Sequence, residues 1–146
     1  MKNINEEILT SWLCLSKAIS NEKLVEDMTY NESIICNTLY HSQLKEPHKE
    51  LTATDLCRET RMLKSLMNRT LNNMENKKLI LRKRSDTDKR RISVRLNPEQ
   101  LTIYEQQHTK ILNLIDAIVQ RIGEKRAYEA IDLFHTIADI AEEVIQ

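Results

Sequence analysis

The sequence predicts a mainly helical fold carrying one small β-hairpin, and three observations predict it. Glycine and proline are almost absent, occurring only as Gly123, Pro47 and Pro98, so tight turns are few and connections must be short. Apolar residues recur at helical spacing in six stretches. One stretch, Leu79 to Asn97, breaks that rhythm: Ile92, Val94 and Leu96 alternate with Arg91, Ser93 and Arg95, the period of two that a half-buried strand needs. A charged hairpin directly after a helix-turn-helix pair reads as the wing of a winged helix-turn-helix.

The elements follow in order. Ile8, Trp12, Leu15 and Ile19, with Leu9 and Leu13 beside them, give a wide apolar stripe and a first helix from Asn5 to about Lys23. Thr29-Tyr30-Asn31-Glu32 reads as a capping box in which Thr29 and Glu32 satisfy each other's backbone donors. It opens a second helix carrying Ile34, Ile35 and Leu39 and ending near Leu44, before the polar stretch around Pro47. Thr52 is an N-cap with Asp55 at the third helical position, and the short helix it opens turns Leu56 and Cys57 inward. The chain turns again at residues 60–63. A fourth helix, about Lys64 to Lys77, buries Met67, Leu71 and Met74 and presents Lys64, Ser65, Asn68, Arg69 and Asn72 on its other side. Two strands follow, Leu79–Lys83 and Arg91–Leu96, joined by a charged tip. Asn97 and Pro98 then mark a strong helix start, with Gln100 placed to reach back. That helix runs to about Ile122, Gly123 sits where a left-handed helix end is wanted, and a last helix spans about Lys125 to Ile145.

Residues from about 29 to 97 thus form the winged helix. Residues from about 1 to 25 and 98 to 146 carry apolar faces that one winged helix cannot cover. A homodimer built from both chain ends buries them, and all 146 residues read as a single domain of this kind.

The neutral total of 22 Lys+Arg against 22 Asp+Glu hides a division. Arg58 to Arg95 holds 13 basic and 4 acidic residues, a net of +9, and the remainder holds 9 basic and 18 acidic, a net of −9. Such polarity is the electrostatic footprint of a nucleic-acid face. Lysine, arginine, serine and asparagine on the exposed side of the fourth helix are the types that hydrogen-bond base edges and phosphates. On the hairpin, Lys83, Arg84, Lys89 and Arg91 suit phosphate contacts. A competing reading makes the winged helix a protein-docking module, for which a concentrated basic block is not needed.

Between Leu51 and Leu96 the sequence resembles the MarR family of bacterial transcription regulators. The residues that carry the resemblance are Leu51-Thr52, Leu71, Met74-Glu75, Leu79-Ile80, Arg82, Asp88-Lys89-Arg90, Val94 and Leu96-Asn97. The resemblance implies that Arg90 enters the minor groove and that Asp88 fixes its geometry. It also implies a fourth helix in the major groove, a dimer on a palindromic double-stranded operator, and release, most often of a repressor, by an effector. A narrow minor groove concentrates negative potential and attracts a guanidinium. Two features depart from the family: Lys78 stands where a glycine usually ends the recognition helix, which implies an altered helix end with the wing kept, and the segment between the first two helices is short, which changes the wall of any ligand pocket there.

Trp12, Tyr30, Tyr40 and His41 are the residues that could line an effector pocket, with core or interface packing as the plainer role. The resemblance also offers Cys14 as a peroxide-reactive thiol supported by Tyr30. Against this, cysteine is commonly a small buried residue, and reactivity needs a lowered pKa and access. Cys36 and Cys57 read as structural. The three cysteines lack metal-type spacing, and His41, His48, His108 and His135 form no compact ligand set, so neither a metal nor another cofactor is expected. Glycine-rich phosphate loops, a nucleophile elbow and paired catalytic carboxylates are missing from the sequence, so no enzyme is expected. No apolar run approaches the roughly 20 residues of a membrane span and the N-terminus lacks a signal-peptide core, which together suggest a cytoplasmic protein.

Overall fold

A computed structural model of the chain describes residues 3–19 and 28–145. They fall into two compact units, divided between Gln107 and His108. The elements are α1 (Ile4–Ile19), α2 (Tyr30–Lys45), α3 (Ala53–Thr60), α4 (Lys64–Asn76), β1 (Ile80–Arg84), β2 (Ile92–Leu96), a 3-10 turn (Pro98–Gln100), α5 (Leu101–Ile122) and α6 (Glu124–Val144). The expected end of the first helix, at Lys23, lies outside the described residues.

The core of the first unit forms where α2, α3, α4 and the hairpin pack on one another. Ile35 and Leu39 of α2, Leu56 of α3, Met67, Leu71 and Met74 of α4, and Ile80, Val94 and Leu96 of the hairpin are all buried. Both expected capping boxes are present. Thr29 Oγ1 accepts from the Glu32 amide while Glu32 Oε1 accepts from the Thr29 amide, and Thr52 and Asp55 exchange the same pair of bonds. Each reciprocal cap satisfies amides that a helix end otherwise leaves open.

The hairpin is antiparallel, with Ile80 opposite Leu96 and Arg84 opposite Ile92. Leu51 adds a one-residue third strand, its carbonyl accepting from the Val94 amide at 2.7 Å. The expected alternation holds from Val94 to Leu96 but fails nearer the tip. Ile92 is 51% exposed and Ser93 is buried, because the distal half of the hairpin extends past the helical core. The Ser93 hydroxyl meets its bonding requirement locally by donating to the Lys83 carbonyl.

Lys78 takes the left-handed conformation, φ 63°. Its amide donates to the Glu75 carbonyl and the Leu79 amide to the Met74 carbonyl, the paired bonds of a left-handed helix end. The helix end expected to change is therefore kept, with a lysine carrying it. Asn97 Nδ2 donates to the Lys78 carbonyl at 2.8 Å and helps hold the conformation. Replacing Lys78 with glycine should raise stability by about 1 kcal/mol, since it relieves the side-chain clash of a left-handed residue. A urea unfolding curve reads this directly, and a loss of stability would refute it.

Asn97 caps the 3-10 turn, not α5 itself, by accepting from the Glu99 amide. Gly123 also corrects its expected role. With φ 89° and ψ 151° it is not the left-handed end of α5 but the N-cap of α6, in a region of backbone space that essentially only glycine occupies. A Cβ there would meet nothing within 4 Å, so the requirement for glycine is one of backbone conformation and not of space. The second unit begins at His108 and comprises most of α5, this glycine and α6.

Candidate nucleic-acid interface

The turn between α3 and α4 is set by Arg61, left-handed at φ 60°. From it α4 presents Lys64, Ser65, Asn68, Arg69 and Asn72, all exposed, opposite buried Met67, Leu71 and Met74. The helix period alone separates these two faces.

The wing follows with Lys83, Arg84, Asp88, Lys89, Arg90 and Arg91 exposed. The structure divides these residues and those of α4 into two groups. Arg82, Arg84 and Arg91 are held by the protein itself. Arg82 Nη2 donates to Asn72 Oδ1 at 2.7 Å, and its Nε lies 3.1 Å from Glu75 Oε2 without the alignment of a hydrogen bond. Arg84 donates to the Lys89 carbonyl, and Arg91 Nη2 reaches Asp55 Oδ2 at 3.3 Å. Lys83 lies 3.4 Å from Asp86, with both side chains well exposed. By contrast, the side chains of Lys64, Ser65, Asn68, Arg69, Lys89 and Arg90 meet no hydrogen-bond or ion-pair partner among the described residues. Asp88 acts on the backbone: its Oδ1 accepts from the Arg90 amide at 3.0 Å, and its carbonyl accepts from Arg91.

Several of these supports were not among the sequence candidates. Glu75 and Asn72 tie the wing to α4 through Arg82. Glu50 and Ser85 bond at the base of the tip. Asp55 links α3 to the wing through Arg91. Burial opposes the ionisation of Asp55, but hydrogen bonds from Thr52 and the charges of Arg91 and Arg58 outweigh it and hold the carboxyl below the usual carboxylate range. A carboxylate with a depressed folded pKa stabilises the fold above its unfolded value, and the contribution is lost as pH falls through the folded one. Asp55→Asn should therefore cost about 1 kcal/mol near neutral pH. The difference from the unsubstituted protein should close in acid, below about pH 4. Unfolding curves across pH check this; a constant difference down to strong acid would refute it.

The candidate pocket residues are not gathered in one place. Trp12 and Tyr30 are exposed on α1 and α2. Tyr40 instead packs on His41 and Tyr104, ring centroids 5.9 and 5.0 Å away. Burial, with Cys36 and Tyr40 adding to it, raises the Tyr104 hydroxyl above its ordinary pKa, and the hydroxyl sits 3.3 Å from Asn37 Oδ1. A nearby cavity lined by Met28, Cys36, Leu96, Tyr104 and Gln107 has a volume of about 30 Å³, room for one or two waters and not for a drug-sized ligand. Cys14 is exposed, where a buried structural role was the plainer expectation, and Cys57 is only partly buried. Cys36 is buried, and desolvation, then the Glu32 charge, pushes its thiol up to about 12. Among the described residues no group of three or more His, Cys, Asp or Glu could hold a metal, and no helix is long and apolar enough to cross a membrane.

A protein-family model described as MarR family matches residues 37–91, the stretch from the middle of α2 to the tip of the wing. The similarity to the MarR family lies in that segment. The fold agrees with those regulators along nearly the whole chain. The S. aureus MepR–DNA complex superposes with a TM-score of 0.73 at 19% identity, covering 95% of this chain and 99% of that one. FabT of Streptococcus pneumoniae, in complex with DNA, gives 0.72 at 18% identity, covering 95% and 96%. PcaV of Streptomyces coelicolor, with its natural ligand, gives 0.71 at 19% identity and 91% of both chains. No curated protein matches the sequence. The matched segment contains α4, β1 and the wing tip as far as Arg91, so the family match and the basic face coincide.

Proposed function

We propose that this chain is a DNA-binding transcription regulator of the repressor type, acting as a homodimer on a palindromic double-stranded operator. The observation that carries the reading is the division of the basic face. Lys64, Ser65, Asn68 and Arg69 on α4, with Lys89 and Arg90 on the wing tip, have no partner of their own among the described residues, while neighbouring arginines are spent on holding the scaffold. Unpaired donors on a helix and hairpin are what base edges and phosphates need. In this arrangement α4 lies in the major groove and Arg90 enters the minor groove. Lys83 and Lys89 face phosphates, Arg84 and Arg91 do so through the guanidinium donors that their internal bonds leave over, and Asn72 shares its side chain between Arg82 and the groove. MepR and FabT, each solved on DNA, support the same mode here.

Dimerisation is supported at both chain ends. Ile8, Trp12, Leu15 and Ile19 of α1 are exposed. So are Ile115, Ile118, Ile131, Phe134 and Ile137 in the second unit. Apolar surface on this scale marks an interface, and a second copy covers it. A dimer grips two half-sites only at one separation, so an effector that alters the spacing of its two lobes releases the DNA; NadR, solved with 4-hydroxyphenylacetate, supports a small molecule in that role.

The test is selection of a duplex from a random-sequence library by the full chain, followed by mobility shift at increasing salt. We expect an inverted repeat, dimers by analytical ultracentrifugation, and affinity that falls steeply with salt as phosphate contacts release counterions. A flat salt response, or no enriched sequence, refutes the reading.

A further inference from the structure

The wing tip contains an arrangement that DNA contact alone does not require. Ser85 is 3% exposed in a loop whose following residues are all exposed. Its hydroxyl donates to Glu50 Oε2 and accepts from the Thr87 and Asp88 amides at 3.2 and 3.1 Å. Glu50 Oε1 takes the Asp86 amide at 3.4 Å. Asp88 then takes the Arg90 amide through Oδ1, and the Ser85 amide and Arg91 carbonyl close the loop at 2.8 Å. Glu50 is itself fixed, because the next residue, Leu51, is bonded into the hairpin through Val94. A continuous set of bonds therefore runs from Glu50 through Ser85 and Asp88 to the backbone of Arg90.

The placement of a carboxylate here is informative. Glu50 stands at the base of a hairpin that carries Arg82, Lys83, Arg84, Lys89, Arg90 and Arg91, where electrostatic attraction to DNA is served better without it. Its two oxygens are engaged by the tip, one with the Ser85 hydroxyl and one with a main-chain amide. Charge-assisted bonds of this kind fix geometry more firmly than neutral ones. A rigid tip matters because an arginine that must enter a groove loses less entropy when its backbone is already set.

We propose that Glu50 and Ser85 are positioning residues for Arg90, holding the wing tip in the conformation that presents the guanidinium and so setting sequence discrimination more than overall affinity for DNA. The proposal rests on the DNA-binding reading above. It separates from a general electrostatic role by sign: Glu50→Gln removes a negative charge beside the DNA face, which by charge alone tightens binding to any duplex.

The experiment uses the full chain and two probes, a duplex selected from a random library by the unsubstituted protein and poly(dI-dC) as DNA without the site. Glu50→Gln and Ser85→Ala should each lose about tenfold in affinity for the selected duplex. Glu50→Gln should keep its urea unfolding midpoint, and neither variant should lose affinity for poly(dI-dC), where Glu50→Gln gains. In an Arg90→Ala background, Glu50→Gln should cost nothing further on the selected duplex, because its effect passes through that side chain. Undiminished affinity of both variants for the selected duplex, equal losses on both probes, or full additivity with Arg90→Ala overturns the proposal while leaving the DNA-binding reading intact. Failure of the unsubstituted chain to enrich any sequence overturns both.

Discussion

Arg90→Ala is expected to lower affinity for the selected operator duplex by roughly ten- to hundredfold, the range of one lost specific arginine contact, while the dimer and the unfolding midpoint stay unchanged. The structure gives the reason for choosing this arginine among its neighbours. Arg82 is bonded to Asn72 and paired with Glu75, Arg84 is bonded to the Lys89 carbonyl, and Arg91 is paired with Asp55. Arg90 alone of these four has its backbone held, by Asp88, and its side chain without a partner among the described residues. Truncation therefore removes no intramolecular support, and a stability loss is not expected. Titration of a labelled duplex, with urea unfolding and ultracentrifugation as controls, checks all three parts. Affinity equal to that of the unsubstituted chain would count against Arg90 as the groove-entering residue.

The same substitution at Arg82 should behave differently, and the contrast explains what the sequence could reveal. Helix faces are local: residues three and four apart share a side, so the buried Met67, Leu71 and Met74 and the exposed Lys64, Asn68 and Arg69 are legible from spacing. Both capping boxes are local too, since each closes between residues three apart. The supports of the wing are not. Glu50 meets Ser85 across 35 positions and Asp55 meets Arg91 across 36, and no periodicity encodes such pairings. A basic wing announces itself by composition, but which arginines are structural and which are available depends on where a carboxylate arrives from another element.

Two of the corrected readings, at Ile92 and Gly123, have equally physical reasons. Ile92 continues the alternating pattern in sequence, but alternation specifies only which side of the ladder a residue faces, and at the distal end of the hairpin there is no core on that side to bury it. Gly123 is readable as a position that needs glycine, because positive φ admits little else. Its ψ, which decides whether it ends one helix or begins the next, is set by how α5 and α6 turn about it.

The largest effect on stability is expected where α2 meets the end of α4. Lys77 Nζ lies 2.8 Å from Glu32 Oε1, and Glu32 is only 2% exposed. The same oxygen accepts the Thr29 amide that caps α2, while Oε2 is buried with no hydrogen-bond partner among the described residues. Lys77→Met keeps the apolar stem and removes the cation, leaving a carboxylate in a site from which water is largely excluded. Breaking a buried pair by removing one partner costs more than the pair contributes. The lysine is 45% exposed, so water and salt take up part of the loss, and about 2 kcal/mol is expected. A second substitution distinguishes an abandoned charge from lost packing. Glu32→Gln in the Lys77→Met background neutralises the group but keeps a carbonyl oxygen for the Thr29 amide, and should recover about half of the loss. Urea unfolding of the single and double variants reads both numbers. A Lys77→Met variant as stable as the unsubstituted chain, or a double variant less stable than the single one, would refute the view that this lysine compensates a buried charge and thereby fastens α4 to α2.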